Sequence, residues 1–331
     1  MVFKRVKFLI LIILTTVLIN SCGENKVEVS KPLFELKAQS VIPKFDANNT
    51  YQYIKEQIKF GSRNPNSMAH SAALNYLFNT LSKYTQNVTK QSFNYTGYNG
   101  EVLKLTNIIA KFNPQDKNRI MICAHWDSRP RSDHSKDPSK MNLPVLGAND
   151  GASGVAVILE LARILNENKI NYGIDLVLFD GEDYGLESDL SNFSLGSKYY
   201  SSKLINDTFP AFAVLLDMVG DKDAKFKIEK NSKDYAPDLV DLFWNKAAQI
   251  GADKFTTQIS PPIYDDHISL NQAGLKTIDI IDSDLIGADT PLERRNYWHT
   301  ENDTIDNIGV ETLQQVGDVV TNVIYSLKFN Y

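Results

Sequence analysis

Four short apolar runs, at residues 120–124, 174–179, 212–216 and 277–281, constrain this 331-residue chain more than any other feature. Each has the length of one strand, and none shows the polar alternation of a strand with a wet face, so each reads as a strand buried on both faces. The segments between them have helical period. In 151–165, Val155, Ile158, Leu159, Ala162 and Leu165 share one side, and in 236–250 Leu239, Leu242, Phe243 and Ala247 do the same. A last helix is expected over 310–327. Upstream, Tyr51, Ile54 and Ile58 mark one helix, while Leu74, Leu77, Phe78 and Leu81 mark a second that begins near Ser67. Residues 88–95 and 103–112 pair plausibly as an antiparallel edge. Strands alternating with helices predict an α/β fold: a single-domain, three-layer α/β/α unit over 46–331 with a mixed, mostly parallel central sheet.

Where these runs end, or just past them, the chain places His125-x-Asp127, Asn149-Asp150, Glu182-Asp183, Asp217 and, later, His299. The carboxyl edge of an open α/β sheet is where such folds bind ligands. Imidazoles and carboxylates converging there make an N/O donor set that suits zinc when no thiolate is offered. None is offered, because Cys123 lies inside an apolar run and reads as a small core residue. His125 is expected to ligate metal, with Asp127 accepting its other N–H. Asp150 opens a helix, where by itself it would serve as an N-cap. Of Glu182 and Asp183, one can bind metal while the other acts as general base and acid. Asp217 follows so apolar a run that it is costly unless paired or coordinated. Asp265-Asp266-His267 opens a short helix that stops at Gly274, with His267 read as a structural hydrogen-bonder. Crowded carboxylates raise one another's pKa, so Asp217, Asp266 and Glu182 are expected to share a proton. Two long irregular stretches, 129–146 and 185–196, are expected to flank the site.

A net charge of −5 with dispersed lysines gives no footprint for nucleic acid. Lys4, Arg5 and Lys7 precede an apolar stretch at 8–19, about a dozen residues and short of the ~20 that span a bilayer, so the beginning of the chain reads as a signal peptide. Ile19-Asn20-Ser21-Cys22 resembles a bacterial lipoprotein signal. On that reading residues 1–22 direct export, Cys22 carries a lipid anchor that is the chain's sole membrane contact, residues 23–45 form a tether, and the protein is periplasmic. Cys123 is then left without a disulfide partner.

The motifs together resemble the zinc-dependent aminopeptidase superfamily, and within it the animal-type glutaminyl-peptide cyclotransferases in their bacterial form. The residues that carry this are Gly61-x-Arg63-x-Pro65, Ala124-His125-Trp126-Asp127-Ser128-Arg129-Pro130, Gly147-Ala148-Asn149-Asp150, Asp180-Gly181-Glu182-Asp183, Tyr264-Asp265-Asp266-His267-Ile268 and Tyr297-Trp298-His299-Thr300. The resemblance implies a zinc-aminopeptidase-like fold and an aminoacyltransferase that converts N-terminal glutaminyl residues of peptides and proteins to pyroglutamyl, releasing ammonia. It implies one zinc ion per chain on Asp150, Asp183 and His299, Glu182 as the acid/base residue, Asp217 and Asp266 as its supporting acids, and Trp298 as a wall of the substrate pocket. Asp183 departs from the pattern, being one methylene shorter than the Glu found in relatives. The loop at 185–196, where other cyclotransferases supply a Trp, offers Tyr184 and Phe193, and Phe193 is the candidate for stacking on substrate. Two alternatives stand beside this reading. One is a two-zinc exported aminopeptidase, with a second ion on His125 and Asp217, Asp150 bridging, and Glu182 activating water. The other is a catalytically silent binding lipoprotein.

Overall fold

The computed structural model describes residues 33–37, 41–204 and 209–330. The expected signal peptide, Cys22 and the first part of the tether lie outside these residues. The chain opens with strand β1 (Phe34–Leu36), helices α1 (Ala47–Ile58) and α2 (Met68–Ser82), and strands β2 (Val88–Thr96), β3 (Val102–Phe112) and β4 (Arg119–His125). Helix α3 (Ala152–Glu167), β5 (Gly173–Phe179), α4 (Leu195–Ser201), β6 (Ala213–Asp217) and β7 (Phe226–Ile228) follow. The remainder comprises α5 (Lys230–Tyr235), α6 (Pro237–Ile250), β8 (Phe255–Ile259), α7 (Asp266–Gln272), β9 (Thr277–Ile281), α8 (Val310–Ser326) and β10 (Leu327–Phe329).

A six-stranded sheet runs in the order β2-β3-β5-β4-β6-β9. The pairs β5/β4, β4/β6 and β6/β9 are parallel, whereas β2/β3 and β3/β5 are antiparallel, the mixed sheet expected. Alternation within the apolar runs sorts their side chains between two faces. Ile120, Ile122, Ala124, Leu176, Leu178, Val214 and Leu216 join the large core built with α1, α2, α3, α6 and α8. Met121, Cys123, Val177, Phe179, Ala213 and Leu215 point to the opposite face, where Tyr200 of α4 and Leu270 of α7 cover them. With both faces covered the strands need no polar alternation.

The structure departs from expectation at both ends of the domain and at two short sheets. The tether expected over 23–45 gives way to structure earlier, because β1 pairs antiparallel with β10 and the Phe34 ring lies 5.0 Å from that of Phe212. Phe45 is completely buried against α8, where the absence of a side chain at Gly317 makes room for its ring. The β7/β8 pair forms another small sheet. Stretch 185–196, expected to be irregular, contains a short 3-10 helix at Leu190–Asn192 and the first two residues of α4.

Candidate active site

Six of the sequence-predicted residues, His125, Asp150, Glu182, Asp183, Asp217 and His299, meet at the carboxyl edge of the parallel strands, and local devices hold them. His125 ends β4. Its ring packs on Gly151, where a Cβ would stand 2.6 Å from the ring and 2.5 Å from the His125 carbonyl oxygen, so only glycine fits. Gly151, not Asp150, is the N-cap of α3, and it makes no side-chain cap bond; the N-cap role considered for Asp150 is therefore not the one it plays. Asp150 is instead held from behind, as its own N–H and that of Asn149 donate to the two oxygens of Asp303, at 3.0 and 2.9 Å. Asp127 joins two strand ends: its carboxylate accepts the backbone N–H groups of Glu182 at 3.0 Å and Asp183 at 3.2 Å. It lies 3.5 Å from His125 Nδ1, so its principal partners are these two amides rather than the imidazole. His299 has a left-handed backbone, φ +53°, and its carbonyl accepts the N–H of His134 at 3.1 Å. Such a conformation is uncommon for a residue with a Cβ and often marks a functional position.

Asp150, Asp183 and His299 form a buried trio whose donor atoms lie within 4.8 Å of one another. Nε2 of His299 is 3.3 Å from Asp183 Oδ1 and 3.7 Å from Asp150 Oδ2. A second buried trio, His125, Asp150 and Asp217, shares Asp150 with the first, Nε2 of His125 lying 3.0 Å from Asp150 Oδ1 and 3.2 Å from Asp217 Oδ1. Among the described residues Asp183 Oδ2 is buried without a hydrogen-bond partner. An uncompensated carboxylate oxygen is expensive to bury, and a cation at the trio would meet it.

Glu182 lies beside the trio and accepts from Ser194 Oγ at 3.2 Å. Burial, followed by the charge of Asp265, pushes its carboxyl well above the usual range. Burial, reinforced by Asp150 among its neighbours, raises Asp217 to about 6. Sequence reasoning chose Asp266 as the other supporting acid, and the structure corrects this: Asp265 lines the cavity next to Glu182, while Asp266 does not. Asp265 is the extended N-cap of α7 (φ −152°) and turns toward the pocket, whereas Asp266 is the first helical residue and completely buried. Burial raises both, Asp265 to about 7 and Asp266 to about 8. His267 sits in the core between Glu229, at 3.2 Å, and Asp279, at 3.7 Å, but neither ring nitrogen makes a hydrogen bond, unlike the structural hydrogen-bonder expected from the sequence.

The trio and Glu182 form the floor of a cavity walled by Phe193, Met218, Ile263, Tyr264, Ile281, Ile286 and Trp298. Phe193 thus reaches the pocket, but Tyr184 turns away to pack with Leu103, Leu105 and Leu195. Trp298 stacks on the His299 ring at 3.5 Å, and His134 meets it edge-on at 4.6 Å. Sequence reading missed Ile263, Tyr264 and Ile286, which are brought to the pocket from loops that carry no periodic signal, and His134, which packs against Trp298 and His299.

Comparison with known proteins follows this geometry closely. The family model described as Peptidase family M28 matches residues 107–324, which include every residue of both trios. The chain belongs to peptidase family M28. Among solved M28-like structures, the glutaminyl cyclase of Bacteroides thetaiotaomicron bound to N-acetylhistamine is 39% identical with TM-score 0.81, covering 86% of this chain and 99% of that one. A Zn-dependent exopeptidase from Parabacteroides distasonis is 36% identical with TM-score 0.80, covering 86% and 99%. Aminopeptidase YwaD of Bacillus subtilis is 31% identical over 216 residues, 62% of this chain, and the match spans 40% of that protein's length. The fold is thus that of the M28 family, as the motifs implied. Two carboxylates and an imidazole that are buried yet line a cavity fit the three-ligand zinc centre of a catalytic site. Zinc is the ion that this family and donor set support.

Proposed function

We propose that the protein cyclises N-terminal glutaminyl residues of peptides and proteins to pyroglutamyl with release of ammonia, using one zinc ion per chain. The observation that carries this reading is the cavity itself, with Glu182 and the Asp150, Asp183, His299 trio on one floor and the flat rings of Trp298 and Phe193 among its walls. Flat rings facing the trio and Glu182 suit the planar amide of a folded-back glutaminyl side chain.

Asp150, Asp183 and His299 would hold the zinc ion, which when bound would supply Lewis-acid polarisation of the substrate's γ-carbonyl. Trp298 and Phe193 hold the amide plane and exclude water. The walls favour the bent conformer that brings the amine to the γ-carbon, so the reaction draws on the entropy advantage of an intramolecular attack. Glu182 takes a proton from the α-amine as the new C–N bond forms. It returns that proton to the amide nitrogen, which departs as ammonia when the old C–N bond breaks. Asp265 holds the Glu182 carboxyl proton-avid enough to accept that proton.

Incubation with a Gln-initiated peptide should consume the free α-amine and release ammonia in equal amounts. Glu182→Gln should lower kcat by roughly 10^2 to 10^4-fold with bound zinc unchanged, and full activity in that variant would refute the assignment. The second reading, a two-zinc aminopeptidase, is favoured by one observation, the His125, Asp150, Asp217 trio. It predicts two ions per chain and liberated free amino acids in place of ammonia.

A further inference from the structure

Arg129 stands four residues beyond the end of β4, and its guanidinium is completely buried. Every arm of the fork is engaged. Nε and Nη2 donate to the two oxygens of Asp133, at 2.6 and 2.5 Å. Nη1 donates to Oδ1 of Asp183 at 2.7 Å and to its backbone carbonyl at 3.2 Å. The Phe193 ring lies 5.5 Å from the guanidinium carbon. One side chain therefore touches a residue of the metal trio, a wall of the cavity and the loop that carries His134.

Asp183 is a short acid on an irregular strand end, and its side chain has two rotatable bonds to fix. Its backbone N–H is pinned by Asp127, but nothing in that contact orients the carboxylate. Arg129 does, because bonds to both the side-chain and the main-chain oxygen of one residue hold the carboxylate relative to the backbone. A planar fork imposes direction as well as charge, which an ammonium group does not. Asp133 in turn keeps the fork from rotating.

We propose that Arg129 is the positioning residue for Asp183, holding its carboxylate where it meets His299 and Asp150, and that zinc affinity depends on this guanidinium although it touches no ion. The proposal rests on the reading of Asp150, Asp183 and His299 as the zinc site. Groups that orient metal ligands typically contribute a factor of roughly 10 to 100 in affinity.

The test is zinc affinity by chelator competition on the full-length protein, together with the visible absorption of the cobalt-substituted form. Arg129→Lys keeps the charge and removes the fork. It should weaken zinc binding by roughly 10- to 100-fold and alter the cobalt spectrum, which reports ligand geometry independently of activity. Affinity within twofold of the wild type and a superimposable spectrum would overturn the proposal. Should Arg129→Lys not fold, Asp133→Asn leaves Arg129 in place but frees its fork, and the same two readouts should move in the same direction by a smaller factor; no movement overturns it equally. His299→Ala separates the two layers of the argument. Loss of zinc in His299→Ala with unchanged binding in Arg129→Lys defeats the positioning role alone. Unchanged binding in His299→Ala defeats the zinc-site reading beneath it.

Discussion

Asp265 and Asp266 are adjacent acids with different surroundings, and the difference sets the pH behaviour expected of Glu182. Besides burial, the charge of Asp265 is the strongest influence holding the Glu182 carboxyl high. Glu182 must be deprotonated to accept a proton from the α-amine, so activity falls as pH drops through its pKa. Asp265→Asn removes a repulsion that disfavours the charged form, and the acidic limb of kcat/KM should move to lower pH. The limb in Asp266→Asn should move less, and equal shifts in the two variants would contradict the placement of Asp265. In the sequence the pair could not be resolved, because the distinction depends on whether α7 starts one residue earlier or later, and helix boundaries are not legible to that precision. By contrast Asp150, Glu182, Asp183, Asp217 and His299 were legible as a group, since each follows a strand end or stands in a motif whose polar groups had no bland explanation in common.

At the level of elements, the buried parallel strands announced themselves because both of their faces are covered, which removes polar residues from most positions. The short pairings of β1 with β10 and β7 with β8 gave no such signal: they are too short for a period, and β1 finds its partner near the opposite end of the chain. The arrival of Phe193 at the pocket was likewise hidden in a loop, where it depends on Gly185 leaving space for the ring. Helix α3 crosses the sheet closely enough that a Cβ at Gly154 would collide with the carbonyl oxygen of Leu216 on β6. Gly154→Ala should therefore lift the helix and cost about 1–3 kcal/mol, read as a lower urea midpoint with an unchanged slope. Because α3 follows directly on Asp150, zinc affinity should fall with it, whereas Gly251→Ala, where a Cβ meets no atom within 4 Å, should leave zinc binding intact.

Across the whole molecule, folding gathers acids faster than cations at the site edge. Asp217 is raised to about 6, Asp265 and Asp303 to about 7, and Asp266 to about 8, each chiefly by burial. A carboxyl whose folded pKa exceeds its unfolded value takes up a proton on folding, so its stabilising contribution is full below the unfolded value and is lost as pH rises toward the folded one. The metal-free protein should accordingly lose stability between about pH 4 and pH 8, and its Tm at pH 8 should lie roughly 5 °C or more below that at pH 5.5. Added zinc should narrow the gap, since it supplies the missing positive charge; a pH-independent Tm in the stripped protein would contradict this account. His125 shows the same shortage from the other side. Although burial opposes it, contacts with Asp127, Asp150 and Asp217 push its imidazole well above the ordinary value. Asp150 is common to both donor trios, so whatever occupies one nest alters the other through a carboxylate they own jointly. Hydrogen ion and metal are then rival tenants beneath His125, and a mononuclear and a binuclear enzyme can differ in occupancy without differing in architecture.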